Sequence, residues 1–73
     1  MEDLRTLRKQ AKKTATEVAT VLGVTENAIY NYEKGYRMIN ITQVLILANE
    51  FDCTAEEIIL AQLKSIELAH TSI

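Results

Sequence analysis

Glu26, Asn27, Tyr30 and Asn31 put a carboxylate, two carboxamides and a phenol within six residues. The carboxylate only accepts hydrogen bonds, the phenol donates one and accepts, and each carboxamide donates and accepts side by side. Side chains of these types recognise the polar edges of another molecule rather than make or break its bonds. Groups for catalysis are lacking: His70 is the single histidine, Cys53 the single cysteine, and the chain has neither a glycine-rich phosphate loop nor the paired Cys and His spacing of a zinc site. Glu56 and Glu57 read as a complement to a helix dipole, not as an acid–base couple. An enzyme, a metal centre and a bound cofactor are accordingly not expected.

Size and composition set the frame for those residues. A chain of 73 residues makes one small domain, 1–73, with little area to bury, so its core must be well patterned. Hydrophobic residues at 48% and charged residues at 25% are ordinary for a globular protein and too apolar for a disordered tail. One cysteine forms no internal disulfide, and the N-terminal MEDLRTLRKQ is charged where a secretory signal is apolar. A reducing cytoplasm is the expected location, and no apolar run approaches the roughly 20 residues that span a bilayer. The net charge of -2 is unevenly spread: residues 1–40 hold seven bases against five acids, residues 41–73 one base against five. One basic face on an acidic molecule is therefore permitted, and so is a simple solvated surface.

Five helices follow from apolar spacing and cap residues. Leu4, Leu7, Arg8 and Ala11 recur at helical spacing over about 3–12, with acids before and lysines after. Thr14, three residues before Glu17, opens a second helix whose apolar face is Val18, Ala19 and Leu22 and which Gly23 ends. Thr25 caps a third, with Ala28, Ile29 and Tyr32 on one side and Gly35 at its end. Only Gly23 and Val24 separate the second helix from the Thr25 cap, so the two cross sharply as a helix-turn-helix. After an irregular link, 36–39, Asn40 caps a fourth helix with Ile41, Val44, Leu45, Leu47, Ala48 and Phe51 on its apolar face. Thr54 and Glu57 open a fifth, about 54–69, with a stripe of Ile58, Ile59, Leu63 and Ile66. The end, His70 to Ile73, is expected to fray.

The segments LRTLRKQ, TEVATVLGVTENAIYNYEKGYR and ITQVLILANEFDCTAEEII follow one another in an order that resembles the Cro and phage-repressor type of DNA-binding domain, the Xre family. The likeness runs ungapped from about Leu4 to Ile59 and rests on Leu-x-x-Leu-Arg, Ala19 with Leu-Gly-Val, Ile29 with Glu33-x-Gly35, and Leu-x-x-Ala-x-x-Phe. It implies an all-α, five-helix, lambda-repressor-like domain with core 3–69. It also implies an ion pair between Arg8 and Glu33 that joins the first and third helices. Two positions depart from the family pattern. Ala15 stands where a phosphate-contacting Gln is common, and Ile39 where a proline often stiffens the 36–39 link, leaving that link less restricted.

In such proteins the second helix of the motif enters the major groove N-terminus first. Glu26, Asn27 and Asn31 then match the family's base-reading positions. Asparagine suits the N6 and N7 edge of adenine and a carboxylate the N4 amino group of cytosine, although Glu26 reads equally as a dipole partner. Tyr30 stands beside the groove, within reach of a thymine methyl or a phosphate. The resemblance places phosphate contacts at Thr14, Thr16, Thr25, Lys34, Tyr36, Arg37 and Asn40, whereas Lys9, Lys12 and Lys13 read as solvated. Cys53 is expected to pack between the last two helices.

The fifth helix carries more apolar residues than one buried stripe needs. A symmetric homodimer with Phe51, Cys53, Leu60, Leu63 and Leu68 at its interface would set two reading helices ~34 Å apart on double-stranded DNA of dyad symmetry. The whole reads as a small transcriptional regulator, most like a phage or mobile-element repressor, controlled by its own concentration or by a regulatory protein partner. The alternative is a protein-interaction module that keeps the fold without binding DNA.

Overall fold

The computed structural model describes residues 2–71, with side chains as far as Leu68. Helices α1 (Leu4–Gln10), α2 (Ala15–Leu22), α3 (Glu26–Glu33), α4 (Ile41–Glu50) and α5 (Ala55–Thr71) are joined by short links, with no strand among the described residues. The last helix continues through position 70 to Thr71, where fraying was expected, while Ser72, Ile73 and the His70 side chain lie outside the described residues.

Each start is local chemistry. The Asp3 carboxylate accepts from Thr6 N at 2.9 Å, and Thr25 Oγ1 accepts from Ala28 N at 3.2 Å. Thr14 and Glu17 satisfy each other's backbone amides, as do Asn40 and Gln43. The Thr54 hydroxyl accepts from Glu57 N at 3.1 Å. The ends of α1 to α4 share one geometry, a left-handed residue followed by a backbone bond that reaches back over the last turn: Lys13 N to Arg8 O, Val24 N to Ala19 O, Tyr36 N to Asn31 O and Cys53 N to Ala48 O. The left-handed residues are Lys12, Gly23, Gly35 and Asp52, so two of the four are glycine. Gly23 has open space around a would-be Cβ, and only its φ of +70° calls for glycine. At Gly35 a Cβ would lie 2.6 Å from Ser65 O and 2.7 Å from Ile66 Cα. That glycine ends α3 and also lets α5 pass against the turn.

The inward face of α5 differs from the predicted stripe. Ile58, Ala61, Gln62 and Ser65 are buried, whereas Ile59 and Leu63 are exposed. Small and polar residues occupy this face because backbone, rather than side chains, lies opposite. Gln62 Oε1 accepts from Ile39 N at 2.9 Å, and its Nε2 donates to Tyr32 O at 3.1 Å. Ser65 Oγ accepts from Leu4 N at 3.3 Å. The Ile39 bond also corrects the expectation of a looser link: a proline has no N–H to offer, and isoleucine restrains the same point through Gln62 while its side chain is buried. On α4, Val44 and Leu47 face the core, but Ile41 and Leu45 are 68% and 58% exposed, contrary to the predicted apolar face.

One buried charge pair crosses this core. Arg8 Nε donates to Glu33 Oε2 at 2.5 Å and its Nη2 to Oε1 at 3.2 Å, while Nη1 donates to Lys13 O at 3.1 Å. The two side chains are 10% and 8% exposed. They wall a small void of about 20 Å³ lined by Leu4, Val18, Leu22, Ile29 and Tyr32.

Removing one member of a buried pair strands the other charge, so Arg8→Ala and Glu33→Ala should each cost about 3–5 kcal/mol. The double variant Arg8→Met/Glu33→Leu should cost far less than the two single losses together, measured by urea unfolding. Additive losses would show the charges to be uncoupled. Gly23→Ala should cost about 1 kcal/mol, the ordinary expense of a left-handed alanine. Gly35→Ala should cost at least twice that, since backbone atoms must move; equal melting temperatures for the two variants would contradict the close approach.

Candidate nucleic-acid interface

Burial of Ala28, Ile29 and Tyr32 turns the opposite side of α3 outward. Glu26 and Asn27 are exposed in its first turn, Tyr30 is 38% exposed, and Asn31 is half-buried one turn on from Asn27. These four residues, two neighbouring pairs one turn apart, thus share one end and one flank of a short helix. Asn27 uses no side-chain hydrogen bond within the described chain, which leaves both halves of its amide open to a partner.

Glu26 is differently placed. Thr16 Oγ1, on α2, donates to Glu26 Oε2 at 2.7 Å, and Tyr30 OH donates to Glu26 Oε1 at 3.0 Å. The Thr16 and Tyr30 hydroxyls hold the carboxyl below the usual carboxylate range, and the same bond and the charge of Glu26 push the Tyr30 phenol up. The carboxylate braces the start of α3 against α2. Thr16, expected at a phosphate, has its one hydroxyl proton committed to Glu26 instead.

The remaining polar residues ring this tip. Thr14 and Thr25 are exposed, and because their oxygens accept from backbone amides their protons remain free to be donated outward. Lys34, Tyr36 and Arg37 follow α3 and are exposed, Tyr36 to 71%. The Arg37 guanidinium lies 5.5 Å from the centre of the Tyr32 ring, so a buried aromatic positions an exposed cation. Tyr32 OH in turn accepts from Gln43 Nε2 at 3.2 Å. Asn40 caps α4, whose first two amides, those of Ile41 and Thr42, have no intrahelical acceptor. Ala15 is buried, so its position contributes packing rather than an outward contact.

Sequence reasoning passed over Gln43, Gln62, Ser65 and the Thr16–Glu26 bond. Asn40-x-x-Gln43 is a capping-box spacing and was readable. The other three depend on residues ten or more apart along the chain.

Of the five residues expected at a subunit interface, three, Leu60, Leu63 and Leu68, are exposed on α5. Phe51 and Cys53 are half-buried against the core. Leu63 lines a groove with Met38, Ile39, Val44 and Ile59, Leu60 one with Leu7 and Glu57, and Leu68 one with Asp3, Thr6 and Lys64. Burial, then Glu57 and Asp52, push the Cys53 thiol up, away from the reactive thiolate. Among the described residues no cluster of His, Cys, Asp and Glu is placed to hold a metal ion, and no helix is long and apolar enough to cross a membrane.

No curated protein and no solved structure matches the chain. A helix-turn-helix family model does, over residues 4–58, which covers α1 to α4 and the opening turn of α5. With that match, the paired short helices α2 and α3, and the outward tip of α3, the chain belongs to the Xre/Cro-like helix-turn-helix family of DNA-binding transcription regulators.

Proposed function

We propose that this regulator is a small repressor that reads the major groove with α3 and binds, as a homodimer, an operator of dyad symmetry, in the manner of phage and mobile-element repressors. The observation that carries the reading is the open amide of Asn27 at the exposed end of a helix whose other side is locked into the core. A major groove admits one α-helix, and an asparagine amide pairs with the N6 and N7 edge of adenine. Asn31, one turn on, extends the same flank. Thr14, Thr25, Lys34, Tyr36 and Arg37 take phosphates on either side, and the Asn40 end of α4 presents its free amides to another.

The second subunit covers the groove of Met38, Ile59 and Leu63, with Ile41 and Leu45 flanking Val44 beside it. Met38 is 67%, Leu63 50% and Ile59 42% exposed, which is more clustered apolar surface than isolated exposed side chains account for. The excess of acids in residues 41–73 favours a second reading, a protein-interaction module on the same fold. Salt separates the two: operator affinity falls steeply as salt rises, whereas an interaction module has no DNA affinity even at low salt.

Asn27→Ala should lower discrimination at one or two base pairs by ~1–3 kcal/mol, while Arg37→Ala should weaken all sequences alike and reduce the salt slope by about 1. Equal losses on operator and random DNA for Asn27→Ala would falsify base reading by that residue. Leu63→Glu, at a position half-exposed in the single subunit, should still melt cooperatively and shift the protein to monomer at high micromolar concentration in light scattering. A wild-type protein that is already monomeric there would rule out the dimer.

A further inference from the structure

We infer that Thr16, Glu26 and Tyr30 act as one reading unit that presents only hydrogen-bond acceptors to the groove and thereby selects cytosine. The inference rests on the proposed entry of α3 into the major groove and adds three specificity-determining residues to it.

Each hydroxyl has a single proton, and both protons point at one carboxylate, from Thr16 Oγ1 at 2.7 Å and from Tyr30 OH at 3.0 Å. An ionised carboxylate has no proton to return, so neither bond can reverse its direction. What the four oxygens offer outward is lone pairs alone. Phosphate oxygens also only accept, so this unit has nothing to give the DNA backbone. Its partner must be a donor, and on the major-groove edges the donors are the amino groups of cytosine and adenine.

The neighbours of those amino groups decide between them. Adenine N6 is flanked by its own N7 and by O4 of the paired thymine, both acceptors that repel a carboxylate. Cytosine N4 has an acceptor, guanine O6, on one side only, and carbon-bound hydrogen on the other. A group of acceptor oxygens is therefore repelled from both sides at an A·T pair and from one side at a G·C pair. The two hydroxyl bonds also hold the carboxylate in place before DNA arrives, so less side-chain freedom is lost on contact. Anchored to α2 through Thr16, it moves only if the two helices of the motif move.

Selection of binding sites from random duplex DNA with the full-length protein tests this. The wild type should enrich cytosine at one fixed position of each half-site by roughly tenfold or more. Glu26→Gln, which adds an amide donor, should move that preference to adenine. Tyr30→Phe and Thr16→Val, each removing one hydroxyl at an exposed position, should relax it several-fold, far more than they change the positions read by Asn27. Unaltered melting temperatures would show these variants to be folded. A wild-type site without cytosine at that position, or folded Tyr30→Phe and Thr16→Val proteins that enrich it as strongly as the wild type, would overturn the acceptor unit. A wild type that enriches no sequence at all would overturn the DNA-reading proposal beneath it.

Discussion

Two opposite charges buried together hold α3 at the angle its neighbours set. Arg8 grips both oxygens of Glu33, the last residue of α3, and the same guanidinium caps the α1–α2 link through Lys13 O. Taking such ions out of water is expensive, and the pair survives in the core because each of the three guanidinium nitrogens donates a hydrogen bond. Hydrophobic contacts are tolerant of small rotations, whereas a two-pronged charge contact is not. The far end of α3 is held by a lighter version of the same device, Thr16 on Glu26. The helix that carries Asn27 and Asn31 is thus pinned at both ends, to α1 at its last residue and to α2 at its first.

α5 closes the structure from the other side by unusual means for a core helix. Its buried face carries Ala61, Gln62 and Ser65 beside Ile58, and it binds chain ends and turns: the Leu4 amide, the Tyr32 carbonyl and the Ile39 amide. A domain this small leaves several backbone groups inside that no regular helix satisfies, and α5 supplies the missing partners. No buried side-chain polar atom among the described residues lacks a hydrogen bond. The close pass of α5 over Gly35 places Tyr36 and Arg37 on the surface beside α3, so the helix most distant from the exposed tip of α3 in sequence still shapes its flank.

The distribution of charge follows from this arrangement rather than from composition. A chain of net charge -2 places Lys34 and Arg37 next to the exposed flank of α3 while Glu33 is neutralised inside and Glu26 is engaged by two hydroxyls. Most acids of the second half lie on α4 and α5. A molecule can be acidic overall and still meet an anionic partner through a face of the other sign.

What the sequence determined by itself was everything decided within about six residues: the caps at Thr14, Thr25, Asn40 and Thr54, the turn at Gly23, and so the number and order of helices. Those features depend on bonds between near neighbours, and their residue types state them directly. The Arg8–Glu33 contact became readable only through family likeness, since the two lie 25 positions apart. Which face of α4 and α5 turns inward was not legible, because Ile41, Leu45, Ile59 and Leu63 are as apolar as the residues that are buried. Only the tertiary structure decided that question, along with the double duty of Gly35 and the capture of Glu26 by Thr16. Each of these turns on how close two distant backbones approach, and that distance is set by the packing of the whole core and by no local preference.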